Sequence, residues 1–358
     1  MIRPPTSLSI LVASLLLMVV GVPGWATAPT DDAEAVQKLS TLATGLKRDK
    51  DGYVIEVNFR GTTIDDAALV PLSGLRHLRG VLLNNTSVTD AGMATLGKIA
   101  TLRNLDLRGC PIGNAGIARL ADLSDLRGLK LSGQNGRTTV DDQGLAALGK
   151  LKNLKALALD FLWVSEAGLA QLTGFEKLEE LYLAKTLVGN EALALLPQFP
   201  RLKKLRISQD QVTDAGMVHL AGLSRLEELD LSENSQLFDD GLAHLANLKK
   251  LKKLNLWRLA VTDAGVAHLA GMTQLQWLNL DNTRLTDAGL EALKGLNQLV
   301  FLHLGSTAIT DAGLPNLKNL TALKELKVTR TAVTTEGVAR LQKKLPGVKI
   351  QLKYLAGK

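Results

Sequence analysis

Val261-Thr262-Asp263-Ala264-Gly265-Val266 is the phrase on which the fold turns, because its equivalents recur in register along most of the chain. They begin at Ile64, Val88, Ile112, Val140, Val164, Val188, Val212, Leu237, Val261, Leu285, Ile309 and Val333; nine of the eleven steps are 24 residues, the others being 28 and 25. Between the phrases runs LxxLxL, as in Leu275-Gln276-Trp277-Leu278-Asn279-Leu280. The alternation of Leu278, Asn279 and Leu280 has strand period, with the leucines inward and the asparagine outward. From Asp263 to Met272 the apolar Val266, Leu269 and Met272 fall at helical spacing, behind Thr262 or Asp263 as N-cap. Gly265 and its equivalents, in the first helical turn, permit close approach of the neighbouring repeat. One strand-plus-helix unit cannot bury both of its apolar faces, so the units must stack.

These motifs resemble the leucine-rich-repeat family in a 24-residue form, similar to its ribonuclease-inhibitor and cysteine-containing subclasses and to secreted bacterial proteins of tandem TDAGL repeats. The resemblance covers residues 53–352, about twelve repeats. It implies an α/β solenoid, curved, with a parallel sheet on the concave face, short helices on the convex face, and protein recognition as its usual role. A fold of this kind specifies no particular partner. The ninth position of the motif, asparagine or cysteine in many such repeats, reads Thr62, Thr86, Cys110, Leu162, Thr186, Asp210, Asn234, Leu259, Thr283, Thr307 and Thr331, with the fourth repeat displaced by an insertion. A hydroxyl can serve the turn as an amide does. Leu162 and Leu259 cannot, so local irregularity is expected there.

Outside the repeats, residues 1–28 read as a signal peptide. Arg3 supplies the positive end, Leu8 to Val22 the apolar stretch, and Gly24, Ala26 and Ala28 the small residues of a cleavage site. Cutting after Ala26 avoids Pro29 and is preferred to cutting after Ala28. A retained anchor is the competing reading, although 15 apolar residues fall short of the roughly 20 that span a bilayer as helix. The expected location is exported, periplasmic or extracellular. Residues 29–52 are expected to form a helical N-terminal cap, with Ala35, Val36, Leu39, Leu42 and Leu46 near helical spacing, and 353–358 a C-terminal tail.

Composition narrows the chemistry. The 358 residues are 46% apolar and 22% charged, with a single cysteine, Cys110, so no internal disulfide, cysteine zinc cluster or thiol pair can form. The net charge of +7 is spread through alternating acids and bases, unlike the basic stripes of a nucleic-acid binder. No nucleophile elbow, P-loop, dinucleotide glycine fingerprint, HExxH or CxxC appears; the expectation is a non-enzymatic chain without catalytic residues, metal or cofactor. His219, His244 and His268 share one helix position in successive repeats. Helices 8 to 10 Å apart cannot bring three such rings to the roughly 2 Å that zinc requires. The recurrent Asp90, Asp214, Asp263, Asp287 and Asp311 are read as helix caps.

Two surfaces remain. Outward strand positions beside the inward leucines carry Asn255, Trp257, Trp277, Asn279, Asp281, Phe301 and His303, with Lys253 and Gly305 among them. Aromatic residues are only 4% of the chain, so their gathering on adjacent strands beside hydrogen-bonding groups resembles an interface hot spot. A protein or peptide partner is the first expectation. Alternatives are a carbohydrate or cell-envelope polymer, or a solenoid spacer in which these side chains only pack on one another. The second surface is a basic stripe of Arg79, Arg103, Arg127 and Lys155, one residue per repeat, expected to be solvated or to meet an anionic partner. The insertion at Gly133-Gln134-Asn135-Gly136-Arg137, with Phe161 and Trp163, is a candidate rim loop.

Overall fold

Across residues 30–353, the portion described by the computed structural model, fourteen strands lie side by side in chain order in one sheet. The proposed leader and residues 354–358 fall outside the described residues. The repeat explains the order: each strand returns 24 residues later beside its predecessor, so Lys253–Asn255, Trp277–Asn279 and Phe301–His303 pair in parallel with Leu254, Leu278 and Leu302 in register. A helical segment follows in the next part of each repeat, as in Asp263–Ala267 and Asp142–Leu148. Strands at about 4.8 Å and helices at 8 to 10 Å cannot advance equally in a straight stack, which puts the sheet on the inner side of the curve. Leu275, Leu278, Leu280, Val266, Leu269 and Met272 are fully buried, and their equivalents continue one core from Leu39 to Val348.

The helical side is less uniform than the periodicity predicts. Asp66–Gly74, Asp214–Leu220, Gly289–Leu293 and Leu314–Leu317 are 3₁₀ rather than α-helical, two of them containing Pro71 and Pro315, which remove a backbone donor. The N-terminal cap also differs from the expected helix through Leu46. The helix Ala33–Leu42 stops, and Gly45–Arg48 adds an antiparallel strand against Val54–Asn58. Asp31 ties the cap down, its carboxylate accepting from Val54 N at 2.7 Å and Arg76 N at 2.9 Å.

The aspartate column does something other than cap its own helix. Thr262 is the N-cap, its hydroxyl accepting from Ala264 N. The Asp239 carboxylate of the preceding repeat accepts from Thr262 N at 2.7 Å and from Thr262 Oγ1 at 2.6 Å. The same double bond joins Asp66 to Thr89, Asp142 to Ser165, Asp263 to Thr286, Asp287 to Thr310 and Asp311 to Thr334. Each aspartate therefore bridges to the next repeat. The glycine of the next repeat, three residues after the bonded threonine, makes room: a Cβ on Gly265 would lie 3.0 Å from Asp239 Cα and closer still to its Oδ1.

At the ninth position four threonines close their own turn, while Thr86 Oγ1 meets Cys110 Sγ and Thr186 Oγ1 donates to Asp210. Thr62, Thr283, Thr307 and Thr331 donate to the carbonyl three residues back at 2.6 to 2.8 Å. Thr138 is the displaced member, buried and donating to Cys110 O. Cys110 joins the ladder across repeats, its Sγ 3.1 Å from Leu83 O and 3.4 Å from Thr86 Oγ1. The expected irregularity at Leu162 and Leu259 is absent, because their own N–H groups close the turn onto Leu159 O and Leu256 O.

Candidate functional site

On the open face of the sheet, outward residues form columns set by strand register. One column runs Lys253, Trp277, Phe301, Glu325, and the next Asn255, Asn279, His303, Lys327. Trp277 and Phe301 stack with ring centroids 5.0 Å apart and planes 6° from parallel. Lys253 Nζ lies 5.0 Å from the Trp277 centroid and Lys327 Nζ 5.3 Å from that of Phe301. The result is a Lys–Trp–Phe–Lys stack across four strands, in which cation–π attraction holds the lysines over the outer ring faces. Both aromatics are half-buried, and His303 meets the Phe301 edge at 6.3 Å. Burial lowers the His303 pKa, offset in part by Asp281, whose Oδ1 is 3.8 Å away.

The seven residues expected on this face do not form one unit. Trp257 belongs to a third column and pairs instead with Arg258, 5.4 Å from its ring. Asn255 is engaged within the chain: its Oδ1 accepts from Trp257 N and its Nδ2 donates to Asp230. Asn279 Oδ1 likewise accepts from Asp281 N.

The basic stripe is placed in register, each member immediately ahead of its strand. The Arg79 carbonyl accepts from Arg103 N and Asn104 N, and Arg103 repeats the pattern toward Arg127 and Gly128. Lys155 meets Glu179 at 4.0 Å, and Glu179 is held below its ordinary pKa chiefly by the 2.7 Å bond from Lys203. Arg103 Nε is buried without a hydrogen-bond partner among the described residues.

The candidate rim residues separate, with Phe161 facing the insertion loop and Trp163 not among the residues that line the cavity beside it. Trp163 is 70% exposed and Leu187, its equivalent one repeat on, 40% exposed, outside the sheet columns. A polar cavity of about 410 Å³ also opens at the C-terminal ends of the strands, lined by the insertion loop together with residues such as Arg108, Asp160, Phe161 and Arg206. The insertion signalled a loop; only the fold reveals what faces it.

Family profiles described as leucine-rich repeat match residues 249–309 and 98–121. The chain is a leucine-rich-repeat protein. Among solved structures, this leucine-rich-repeat chain is similar to an internalin of Listeria monocytogenes, with a TM-score of 0.61 and 20% identity, over 93% of this chain and 100% of that one. That likeness is one of fold. Internalin C2 of the same organism gives a TM-score of 0.46 at 24% identity, over 59% of this chain and 84% of that one. A plant peptide hormone receptor, RGFR1, in complex with RGF2 gives 0.45 at 15% identity, over 79% of this chain and 60% of that one. No curated protein matches the chain. Among the described residues, no helix is long and apolar enough to cross a membrane.

Proposed function

We propose that this leucine-rich-repeat protein is an exported binding scaffold that recognises a protein or peptide through the inner face of its sheet, without catalysing a reaction. One observation carries the reading: Trp277 and Phe301 lie stacked and half-buried in one outward column of the sheet, flanked by Lys253 and Lys327. Stacked rings are already ordered, so a partner gains contact with large aromatic surface at little further cost in side-chain entropy. Lys253 adds a preference for a carboxylate beside an apolar group, Lys327 being already paired with Glu325 at 3.5 Å, and the Trp and Phe are typical anchors. Asn255 and Asn279 act as supports, and Trp257, Asp281 and His303 form the flank. Export rests on the leader, whose charge and apolar pattern are those of a secretory signal.

The test is capture from the native extracytoplasmic fraction by wild type and by a Trp277→Ala/Phe301→Ala variant, each first shown to fold by circular dichroism. The expected result is a protein or peptide held by wild type and lost by the variant. Equal capture by both, or capture of a glycan alone, refutes the reading.

A further inference from the structure

The cavity beside the insertion is a built site on different strands from the aromatic stack, and its chemistry does not rest on the reading above. It spans the turns after four consecutive strands, with Asn84, Arg108, Ser132 and Asp160 contributed by successive repeats. Arg206 joins from two strands further, in register with Tyr182 of the intervening strand, its Nη1 3.2 Å from Asp160 Oδ2. The insertion forms a preorganised wall. Gly133 N donates to Asp160 O, Gly136 N to Gly133 O, Arg137 N to Asn135 Oδ1, and Asn135 Nδ2 to Gly109 O at 3.0 Å.

Charge complementarity selects the ligand. Arg108 is clamped by Asp106 through bonds of 2.8 and 2.7 Å, and Arg206 lies between Asp160 and Asp230, whose nearest oxygen is 3.5 Å from its Nε. The ions facing the cavity are thus already paired, and an anionic ligand would have to compete with built-in carboxylates. Left available are neutral groups: the exposed carboxamides of Gln134 and Asn85, and the Ser132 hydroxyl, whose oxygen accepts from Gln134 N at 3.4 Å and whose O–H can still donate. Asn84 Oδ1 is cut off from solvent and lacks a protein hydrogen bond, an unmatched acceptor that a hydroxyl donor would satisfy after a small rotation of the amide. Phe161 adds one half-buried ring to the wall. At about 410 Å³ the cavity is of small-ligand size. The geometry points to a binding site for a neutral saccharide of one or two rings, with hydroxyls on the amides and a C–H face toward Phe161.

The experiment titrates the full chain with glucose, N-acetylglucosamine, cellobiose and chitobiose, with sulfate as the charged control, by calorimetry and saturation-transfer NMR. The variants are Gln134→Ala, on the exposed loop, and Asn84→Ala, with thermal melting as the folding check. At least one neutral saccharide should bind saturably and weaken about tenfold in each variant, a loss of about 1.4 kcal/mol. The proposal is overturned if no member of the panel binds, if binding ignores both variants, if it is lost through Trp277→Ala instead, or if sulfate alone saturates. Saccharide binding with an unproductive protein capture, or the reverse, separates the fate of this site from that of the aromatic stack.

Discussion

Replacing Gly265 with alanine should destabilise the solenoid, although helix propensity alone says the opposite. Gly265 lies inside the helix Asp263–Ala267, where Gly→Ala ordinarily stabilises by about 0.5 to 1 kcal/mol. Here the new methyl would lie 3.0 Å from Asp239 Cα and 3.1 Å from Asp239 Cγ, displacing the carboxylate that binds Thr262 N and Thr262 Oγ1. Hydrogen bonds to a charged group contribute about 1.5 to 3 kcal/mol each, and overpacking typically costs about 1 to 3 kcal/mol. Allowing partial relaxation and the propensity gain, the net loss is about 2 kcal/mol. Urea unfolding followed by circular dichroism reads it as a lower midpoint, the comparison staying between midpoints because repeat arrays can depart from two-state behaviour. An Asp239→Ala background removes the carboxylate but leaves its Cα 3.0 Å away, so there the penalty of Gly265→Ala should shrink without vanishing. A higher midpoint for the single variant, or an equal penalty in both backgrounds, would refute the clash as the cause.

Three further outcomes are expected. Asp210 is pushed up to about 7 by burial, with Oδ2 left without a hydrogen bond, so the folded state holds its proton far above the unfolded pKa of about 3.9. Its proton therefore favours folding below pH 4, and wild type should lose at most about 4 kcal/mol relative to Asp210→Asn as pH rises from 4 to 7, measured as the difference between their unfolding curves. A constant difference across that range would show that Asp210 titrates normally. Cys110 is fully buried, bonded to Leu83 O, and raised in pKa by that burial, so a thiol-directed reagent should label it only as denaturant unfolds the chain. Ser306 occupies the left-handed turn position at φ 52°; Ser306→Val should lower stability by about 1 to 2 kcal/mol while Ser306→Gly leaves it unchanged or slightly higher, as read by thermal melting.

The fold was legible because a 24-residue period admits few solutions. Leu278 and Leu280 alternate around Asn279, Val266 and Leu269 keep helical spacing, and stacking is the way to bury both sets. Register follows too, since equal steps bring equal positions together, and Lys253, Trp277 and Phe301 stand 24 residues apart. The cap is less legible for an equally physical reason: Leu46 continues the apolar spacing that starts at Ala35, and nothing local reveals that Asn58 and its neighbours offer an open strand edge to Gly45–Arg48.

What local pattern cannot express is where a side chain finds its partner. An aspartate at a helix start looks like a cap, yet Asp239 bonds to Thr262 across 23 residues of chain, because stacking brings the next repeat's donors nearer than its own. Asn255 looks available for a ligand and is occupied by Asp230 and Trp257. The insertion at 133–137 looks like a rim loop and becomes the wall of a cavity that Arg206, two strands beyond Asp160, closes by bonding back to the Asp160 carboxylate. Periodicity settles which residues face inward and which strands are neighbours, since both follow from repeat length and apolar burial. Side-chain geometry decides which outward residues remain free to bind, since hydrogen bonds and ion pairs depend on distances that only the stacked repeats set.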